Sequence, residues 1–300
     1  MNNIKSQFSI KDLENLTGIK AHTIRIWEKR YNLLQPKRTD TNIRYYDLAN
    51  FQKLLNVSYL NNNGYKISKI ATIDEEQIPN LVKEIANENN LESHAINAFK
   101  LSMLNFDQSL FYKTYESLLK DIDFESIFYN IFIPLLTEIG LLWQTDTITP
   151  AHEHFISGLI RQKILINTEL IQVKQEYKST KTFVLYLPEN EIHELGLMFV
   201  NYLLSKKGCH CIYLGQSVPI TSLSDLQNYY DDIIFISYLT VSPSTEDVHK
   251  YLENFEDTLL KNNNSSLWLL GKILESSDTE NLPKQIKTFK SIKSLTSSID

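Results

Sequence analysis

The chain has 300 residues, of which 42% are hydrophobic and 22% charged, and these are the proportions of an ordinary globular protein. Two cysteines exclude a disulfide framework, and the first residues lack the apolar core of a signal peptide, so we expect a cytoplasmic protein. The apolar runs look too short to span a membrane, and a chain of this length predicts two or three compact units.

The net charge of −6 is unevenly distributed along the chain. Residues 1–73 contain twelve Lys and Arg against five Asp and Glu, so this segment carries +7 and the remainder carries −13. A small basic unit joined to a large acidic one is typical of a nucleic-acid-binding head on a regulatory body. The alternative is that the asymmetry arose by drift.

The first helical pattern covers residues 8–17, FSIKDLENLT, in which Ile10, Leu13 and Leu16 recur at helical spacing. The pattern ends at Gly18. Glycine can adopt the positive φ that a tight turn between two helices requires, so we expect a second helix to follow directly.

A second helical pattern does follow over residues 19–34, with Ile24, Trp27 and Tyr31 on one face. The cations project from other faces: Arg25, Lys29 and Arg30. A short helix, a glycine turn and a helix with cations near its start predict a helix-turn-helix, whose N-terminus favours contact with phosphate. A helical hairpin with solvated arginines is the alternative.

Residues 36–46, PKRTDTNIRYY, predict a small two-stranded wing before another helix begins. The polar segment TDTN forms the turn, and the alternating residues after it form the second strand. Arg38 and Arg44 are expected at the edges of the wing, where they can reach the DNA backbone.

Together these segments resemble the MerR family of winged-helix regulators, above all in AHTIRIWEKRYNLL and NIRYYD. The resemblance implies that seven residues lie at or near double-stranded promoter DNA: Thr23, Arg25, Arg30, Tyr31, Arg38, Arg44 and Tyr46. Arg25 and Arg44 are the strongest candidates, as clamps on phosphates. The chain has Asn42 and Ile43 where the wing of the family usually has Gly-Tyr.

We expect a helix to continue through residues 57–73 and to close this DNA-binding domain, which we assign to residues 1–75. One head reads one half-site, so the chain is expected to form a homo-oligomer, either a dimer or a tetramer. Because no long heptad helix follows the head, the body should provide the contacts between copies.

Residues 76–177 predict a bundle of four or five helices, because successive segments bear apolar stripes at helical spacing and glycine is rare. Asp107 is expected to cap one helix, and Thr149 and Pro150 to begin another. Pro134 lies inside an apolar helical pattern, where proline predicts a kink.

Residues 178–300 alternate buried strands with helices. The predicted strands are residues 182–187, 209–215, 231–239 and 266–271. This alternation predicts a doubly wound, flavodoxin-like parallel sheet, so the chain combines α domains with an α/β domain. Cys209 and Cys211 share one face of the second strand, and we expect core residues rather than zinc ligands.

The segment LPENEIHELG places His193 just after the first strand, at the sheet edge where such folds bind ligands. Its EIHELG is similar to the D-x-H-x-x-G signature of cobalamin-binding domains. The resemblance implies that His193 coordinates the cobalt of cobalamin, that Glu191 orients the imidazole, and that Gly196 lets the displaced nucleotide tail pass.

Three positions at the ends of later strands also match cofactor-binding positions of these domains: Ser237, Leu239 and Gly271. Lys272 replaces the second glycine that the family has after the fourth strand. Its side chain could obstruct the tail or turn outward, and the sequence leaves both open.

Upstream, WQTDTITPAHEH runs from Trp143 to Glu153 and His154. The spacing resembles the helical cap of MerR-type cobalamin photoreceptors, which implies that these three residues line the upper, adenosyl face of the cofactor. Gln144 stands where some photoreceptors have a histidine, so a second histidine ligand formed by light is not available at that position.

The resemblance covers essentially the whole chain and implies a transcription regulator, with repression favoured, that senses adenosylcobalamin and light. One alternative is a cofactor-independent regulator whose degenerate body serves oligomerisation or partner binding. Another is a cobalamin-carrying methyltransferase subunit, against which the basic head argues. The sequence has no nucleophile with a paired base and no phosphate loop, so we predict that the protein is not an enzyme.

Overall fold

The structure of the protein is a computed structural model. It describes eight ranges of the chain: residues 7–39, 41–82, 91–145, 147–174, 176–177, 181–261, 264–275 and 282–299. These residues form two compact units, Met1–Leu159 and Ile160–Asp300. The three domains expected from the sequence, residues 1–75, 76–177 and 178–300, stay a prediction.

The N-terminal part of the first unit is a winged helix-turn-helix. Its elements are α1 (Ile10–Thr17), α2 (Ala21–Tyr31), β1 (Lys37–Arg38), β2 (Arg44–Tyr45), α3 (Leu48–Asn62) and α4 (Ile67–Ile70). Ser9 and Asp12 form a capping box at the start of α1, and Gly18 ends that helix at φ 73°. β1 and β2 pair antiparallel, which confirms the wing.

The expectation of one continuous helix through residues 57–73 is wrong. α3 ends at Asn62, and Gly64 takes a φ of 91°, which an α-helix does not permit. Three consecutive asparagines before that glycine also favour a break, since their side chains compete for backbone hydrogen bonds. The chain then restarts as the short helix α4.

A helical bundle completes the first unit and extends into the second. Its elements are α5 (Leu91–Asn105), α6 (Gln108–Leu118), α7 (Phe124–Ile127), a π-helical segment (Phe128–Phe132), α8 (Ile133–Gln144) and α9 (Pro150–Gln172). Asp107 caps α6 by accepting from the amide of Leu110, as predicted. Residues 83–90, part of another predicted helix, lie outside the described residues.

The π-helical segment lies directly before Pro134, where the sequence predicts a kink. Proline has no N–H to donate into the preceding turn, and a π-bulge accommodates the missing bond by widening the helix locally. The same segment carries Phe128 and Phe132 into the bundle core, where Phe132 contacts Phe99 at 5.4 Å between ring centroids. The rings are fully or almost fully buried.

The helical run Phe124–Trp143 is 20 residues long and has a mean hydropathy of 1.4, so its length and composition would allow it to cross a membrane. The core helix of a globular protein meets the same criteria, and Phe128, Ile131, Phe132 and Leu135 are buried in the bundle.

The second unit contains a five-stranded parallel sheet flanked by helices, which confirms the predicted doubly wound fold. Its elements are β3 (Thr182–Tyr186), α10 (Leu195–Lys206), β4 (His210–Gly215), α11 (Ile220–Leu223), β5 (Ile233–Tyr238), α12 (Val248–Phe255), β6 (Ser266–Leu270), β7 (Ile286–Thr288) and α13 (Ile292–Thr296). The strand order is β4-β3-β5-β6-β7.

The chain reverses its winding direction between β3 and β5, the neighbouring central strands of this sheet. Tyr186 and Ser237 are register partners at the carboxyl ends of these two strands. The loops that follow β3 and β5 therefore start side by side. A crevice at such a switch point is where open α/β sheets bind ligands.

The fifth strand and the last helix were not predicted, because residues 284–300 carry only short apolar patterns. β7 has three residues, of which Ile286 alone is buried, so it lacks the run of apolar residues typical of a central parallel strand. An edge strand needs only one buried face. In α13, Ile292 and Leu295 provide the buried contacts.

Candidate functional site

The loop after β3 carries a histidine held by a buried acid. Glu191 has 0% exposure, and its Oε1 lies 2.6 Å from Nδ1 of His193. The side chain of His193 is 51% exposed, so the imidazole stands at the surface of the loop while its partner is buried beneath it. The structure thus brings these two predicted residues together.

Backbone amides from two loops fix the carboxylate of Glu191. Its Oε2 accepts from the amides of Thr240, Val241 and Ser242 at 3.0, 2.6 and 2.9 Å. Its Oε1 also accepts from the amides of Ile192 and His193 at 2.9 and 3.0 Å. The acid therefore ties the loop after β3 to the loop after β5, across the switch point of the sheet.

These contacts determine the ionisation of Glu191. Burial alone would raise its pKa, but the hydrogen bonds from His193 and from the amides of Val241, Ser242 and His193 outweigh burial and lower the pKa to about 2. The group is a carboxylate at every physiological pH. Because a carboxylate only accepts, Nδ1 of His193 carries a hydrogen, and in the neutral ring the lone pair then lies on Nε2. An imidazole in this tautomer can donate Nε2 to a metal.

Gly196, the second residue of α10, lies against the ring of Tyr238 at the end of β5. A β-carbon built on Gly196 would be 2.9 Å from Cε2 of Tyr238 and 3.2 Å from two other ring atoms. The ring thus fills the space next to the glycine. Sequence reasoning missed Tyr238, although it lies inside the Ser-x-Leu match.

The other predicted positions of the sheet lie around the ends of β5 and β6. Ser237 and Leu239 are fully buried. Gly271 has a φ of 121°, and a β-carbon there would be 2.0 Å from the carbonyl oxygen of Leu239, so only glycine fits. The sequence left open whether the side chain of Lys272 obstructs the tail or turns outward. The side chain is exposed, which favours the outward direction.

A second acid beside the histidine was also missed. Glu194 is buried, forms an ion pair with Arg161 from the C-terminal half of α9, and accepts from the hydroxyl of Tyr213 at 2.9 Å. The position next to His193 in the sequence was its only signal. Arg161 and Tyr213 could not have been assigned to it, because they come from other elements.

The predicted cap residues lie in the first unit, on α8 and on the first turn of α9. Trp143 is 55% exposed, which is unusual for so large an apolar side chain. Glu153 accepts from Ser157 at 2.6 Å, and its other oxygen lies 2.8 Å from Nδ1 of the exposed His154. The side chain of Gln144 lies outside the described residues.

In the head, the predicted cations are on the surface. Arg25 and Arg30 of α2 are exposed, and Thr23 and Tyr31 are partly exposed. Arg38 donates to the backbone oxygen of its neighbour Asn42 at 3.1 Å and to the side-chain oxygen at 2.8 Å.

The tip of the wing keeps a tight turn without the usual glycine. Asn42 has a φ of 65°, a conformation that asparagine tolerates better than most residues, and this accounts for the departure from the Gly-Tyr of the family. The next residue, Ile43, is 64% exposed.

The structure corrects the prediction that Tyr46 contacts DNA. It is fully buried, so its side chain cannot touch DNA, and its hydroxyl donates to Glu28 of α2. The other oxygen of Glu28 lies 3.8 Å from the guanidinium of Arg44. Tyr46 therefore supports the acid that holds Arg44, and Glu28 is the residue that sequence reasoning overlooked.

Comparison with known proteins agrees with both parts of this description. The family model of the MerR HTH family regulatory protein matches residues 8–77, and that of the B12 binding domain matches residues 95–166. The chain has a MerR-type head and a B12 binding domain. This combination makes it a DNA-binding transcriptional regulator. The B12 match falls on the helical bundle, residues that we predicted to be cap-like.

Two curated relatives of the regulator are similar over most of its length. It is 28% identical to the HTH-type transcriptional repressor CarH of Myxococcus xanthus over 85% of this chain and 83% of that protein. It is 24% identical to the repressor CarA of the same organism over 71% of this chain and 70% of that protein.

A solved structure supports the fold of the bundle and sheet. The monomethylamine corrinoid protein of Methanosarcina barkeri has a TM-score of 0.55 and 11% identity, and the match covers 69% of this chain and 97% of that protein. At this identity the similarity supports the fold alone.

The residues of the sheet offer a donor for the cobalt of a corrinoid, but they do not leave space for its nucleotide tail. A corrin ring supplies the equatorial ligands of its cobalt and needs one donor below, which the exposed, carboxylate-oriented imidazole of His193 can provide. At Gly196, where the tail of a cobalamin is expected to pass, the ring of Tyr238 occupies the space. The described residues thus offer a donor for the metal, and they leave the space at Gly196 filled.

Proposed function

We propose that this regulator is a transcriptional repressor that binds promoter DNA through its head and holds adenosylcobalamin on His193. The loaded form is the DNA-binding oligomer, and light reverses the association. The protein acts in the cytoplasm and has no enzymatic activity of its own. The names of its relatives, both of them transcriptional repressors, support the repressor part of this proposal.

One observation carries the cofactor part. His193 is an exposed imidazole whose tautomer is fixed by an ionised, fully buried Glu191. A structural histidine does not need such an anchor. The hydrogen bond from Nδ1 to a carboxylate makes Nε2 a better donor, which is the arrangement that metal-binding histidines use. Metal binding would account for an exposed imidazole being oriented by a buried, ionised acid.

The parts of the chain have separate tasks in this proposal. Glu191 holds the proton of the imidazole on Nδ1, and His193 would hold the cobalt. Trp143, Glu153 and His154 stay the predicted contacts of the adenosyl face. Bound adenosylcobalamin would supply a cobalt–carbon bond that light can break.

Association of copies through the bundle and the sheet would link cofactor binding to DNA binding by the heads. Each head reads one half-site, so two heads held in one oligomer bind a palindromic operator with an effective concentration that a single head lacks. A ligand that favours the oligomer thereby raises affinity for DNA without a contact to it. We propose a dimer or tetramer for the loaded form.

The test is cofactor retention by the full chain. The protein is incubated with adenosylcobalamin in the dark, desalted, and measured for cobalt, visible spectrum, size and binding to genomic DNA fragments, before and after illumination. The wild type should retain cobalt and change in spectrum and size on illumination. His193→Ala should retain none, whereas His249→Ala, an exposed histidine of the same unit, should behave as the wild type. Equal retention by His193→Ala would refute the proposal.

A cofactor-independent regulator is the second candidate, and the position of Tyr238 favours it. In that case the body serves only the association of copies or a protein partner. His193→Ala would then leave DNA binding and size unchanged, and the wild type would retain no cobalt. A methyl-carrying enzyme subunit is not favoured, because the chain carries a DNA-binding head.

A further inference from the structure

The contact between Tyr238 and Gly196 closes the space beside the start of α10. Three ring atoms of Tyr238 lie 2.9–3.2 Å from where a β-carbon on Gly196 would be, so the ring rests directly on the backbone of the helix. Gly196 is three residues after His193. The filled space is therefore adjacent to the proposed metal ligand.

Successive side chains of β5 point to opposite faces of the sheet, and this explains why the ring of Tyr238 points towards α10. Phe235 belongs to the core cluster on one face of the sheet, and Tyr238, at an odd separation from it, lies on the opposite face with α10. An aromatic side chain has two rotatable bonds and few rotamers, and this one is partly buried. The ring thus lines the site beside Gly196.

The neighbouring gap at the end of β6 is closed as well. Gly271 approaches the carbonyl oxygen of Leu239 so closely that a β-carbon would lie 2.0 Å from it. The amide of Leu239 donates to the oxygen of Leu270 at 2.7 Å. Backbone atoms therefore leave no room for a side chain at Gly271.

These observations bear on which corrinoid the site accepts. Cobalamin carries a nucleotide tail that is released from cobalt when a protein histidine replaces it, and the tail must then be accommodated. We propose that Tyr238 excludes this tail, so that the site prefers corrinoids that lack it. The inference rests on the proposed function, in which His193 holds the cobalt, and on the resemblance, which implies that the tail passes at Gly196.

The experiment compares two ligands on full-length protein. Adenosylcobalamin and adenosylcobinamide, which lacks the nucleotide, are titrated in the dark by equilibrium dialysis and visible absorbance. The wild type should bind adenosylcobinamide at least about tenfold more tightly. Tyr238→Ala should reduce this ratio towards one by improving the affinity for adenosylcobalamin alone.

Two variants control for the ring and for general effects of substitution. Tyr238→Phe keeps the ring and should keep the preference of the wild type. Tyr229→Ala removes a tyrosine that is 78% exposed in the same unit and should change neither affinity. Thermal melts of all variants show whether the sheet remains folded. If Tyr238→Ala does not fold, Tyr238→Leu, which removes the ring and keeps an apolar side chain, tests the preference.

The outcomes separate this inference from the proposed function. Equal affinity of the wild type for the two ligands, with no effect of Tyr238→Ala, overturns the exclusion and leaves the proposed function in place. Binding of neither ligand by any variant overturns the proposed function itself. A wild type that binds only adenosylcobinamide, with adenosylcobalamin binding gained in Tyr238→Ala, supports the exclusion and a corrinoid on His193 but overturns adenosylcobalamin as the ligand of the proposed function.

Discussion

Two glutamates, one in the head and one in the sheet, position a neighbouring side chain in different ways. Glu28 is almost buried, accepts from the hydroxyl of Tyr46 and faces the guanidinium of Arg44 at 3.8 Å. Glu191 is fully buried and accepts from five backbone amides and the imidazole of His193. The first faces a charge at the surface, and the second holds an imidazole by its Nδ1.

The difference agrees with what each surface is proposed to bind. Phosphate contact needs an exposed cation in the right place, and such an interaction weakens as salt rises. Metal ligation needs a lone pair with a fixed direction, so a buried network serves better because solvent and salt act on it less. The head should therefore respond to ionic strength and the sheet to acid. Four predictions test this contrast.

The largest effect is expected for Glu191→Ala. The substitution leaves the amides of Thr240, Val241 and Ser242 without their acceptor, and buried donors without partners are costly. The free energy of unfolding of the sheet unit should fall by about 3–4 kcal/mol. Urea unfolding followed by tryptophan fluorescence measures it.

Glu189→Ala provides the matched control, since this glutamate lies two residues earlier in the same loop and is exposed. It should change the unfolding free energy by less than about 0.5 kcal/mol. If both variants lost the same amount, the amide contacts of Glu191 would not be what stabilises the loop.

Acid should remove the same contribution without a mutation. The pKa of Glu191 in the folded protein, about 2, lies below its ordinary value of 4.5, so its stabilisation is present above pH 4.5 and is lost as pH falls towards 2. By pH 3 the loss should reach about 2 kcal/mol. The measurement is urea unfolding of wild type and Glu191→Gln at pH 7 and pH 3.

The variant isolates this glutamate from other acids. Asp47, which caps α3 in the head, also has its pKa lowered to about 2 and will contribute to acid sensitivity in both proteins. Glu191→Gln should therefore show a smaller loss between the two pH values than the wild type. Parallel behaviour of the two proteins would mean that Glu191 is not the titrating group.

The contrast between the two glutamates also shows what sequence can predict. The head, the wing and the alternating strands follow from local periodicity and turn residues, which act within a few positions of the chain. His193 and Glu191 were predicted together because they are two residues apart. Their geometry agrees with that expectation, and their role in binding cobalt stays a prediction.

Contacts between distant elements were beyond sequence reasoning. Tyr46 was predicted to contact DNA, since a tyrosine in a wing gives no sign of whether it faces outward or into the core. Glu28 meets it across 18 positions, and Tyr238 meets Gly196 across 42. The break after α3 could have been predicted, because Gly64 and the asparagines before it are local signals.

The third prediction concerns the hydroxyl of Tyr46. Tyr46→Phe keeps the ring packing and removes only the donor to Glu28, so the head should lose about 1 kcal/mol of unfolding free energy. Affinity for DNA should also fall, because Glu28 would hold Arg44 in a less defined position. Differential scanning calorimetry and mobility shifts measure the two effects. Tyr45→Phe, at the partly exposed neighbouring position, should alter neither.

The smallest effects are expected from single cations of the head, and they sharpen the contrast with the sheet. Arg25→Ala and Arg44→Ala should each weaken DNA binding by about 1 kcal/mol and reduce the salt dependence of log K by about one unit of slope. Lys272→Ala removes an equally exposed cation from the sheet unit and should leave both quantities unchanged. Fluorescence anisotropy across a series of salt concentrations measures them. If Lys272→Ala reduced the slope as much as Arg44→Ala did, DNA contact would extend to the sheet unit, and the separation between a salt-sensitive head and an acid-sensitive sheet would be wrong.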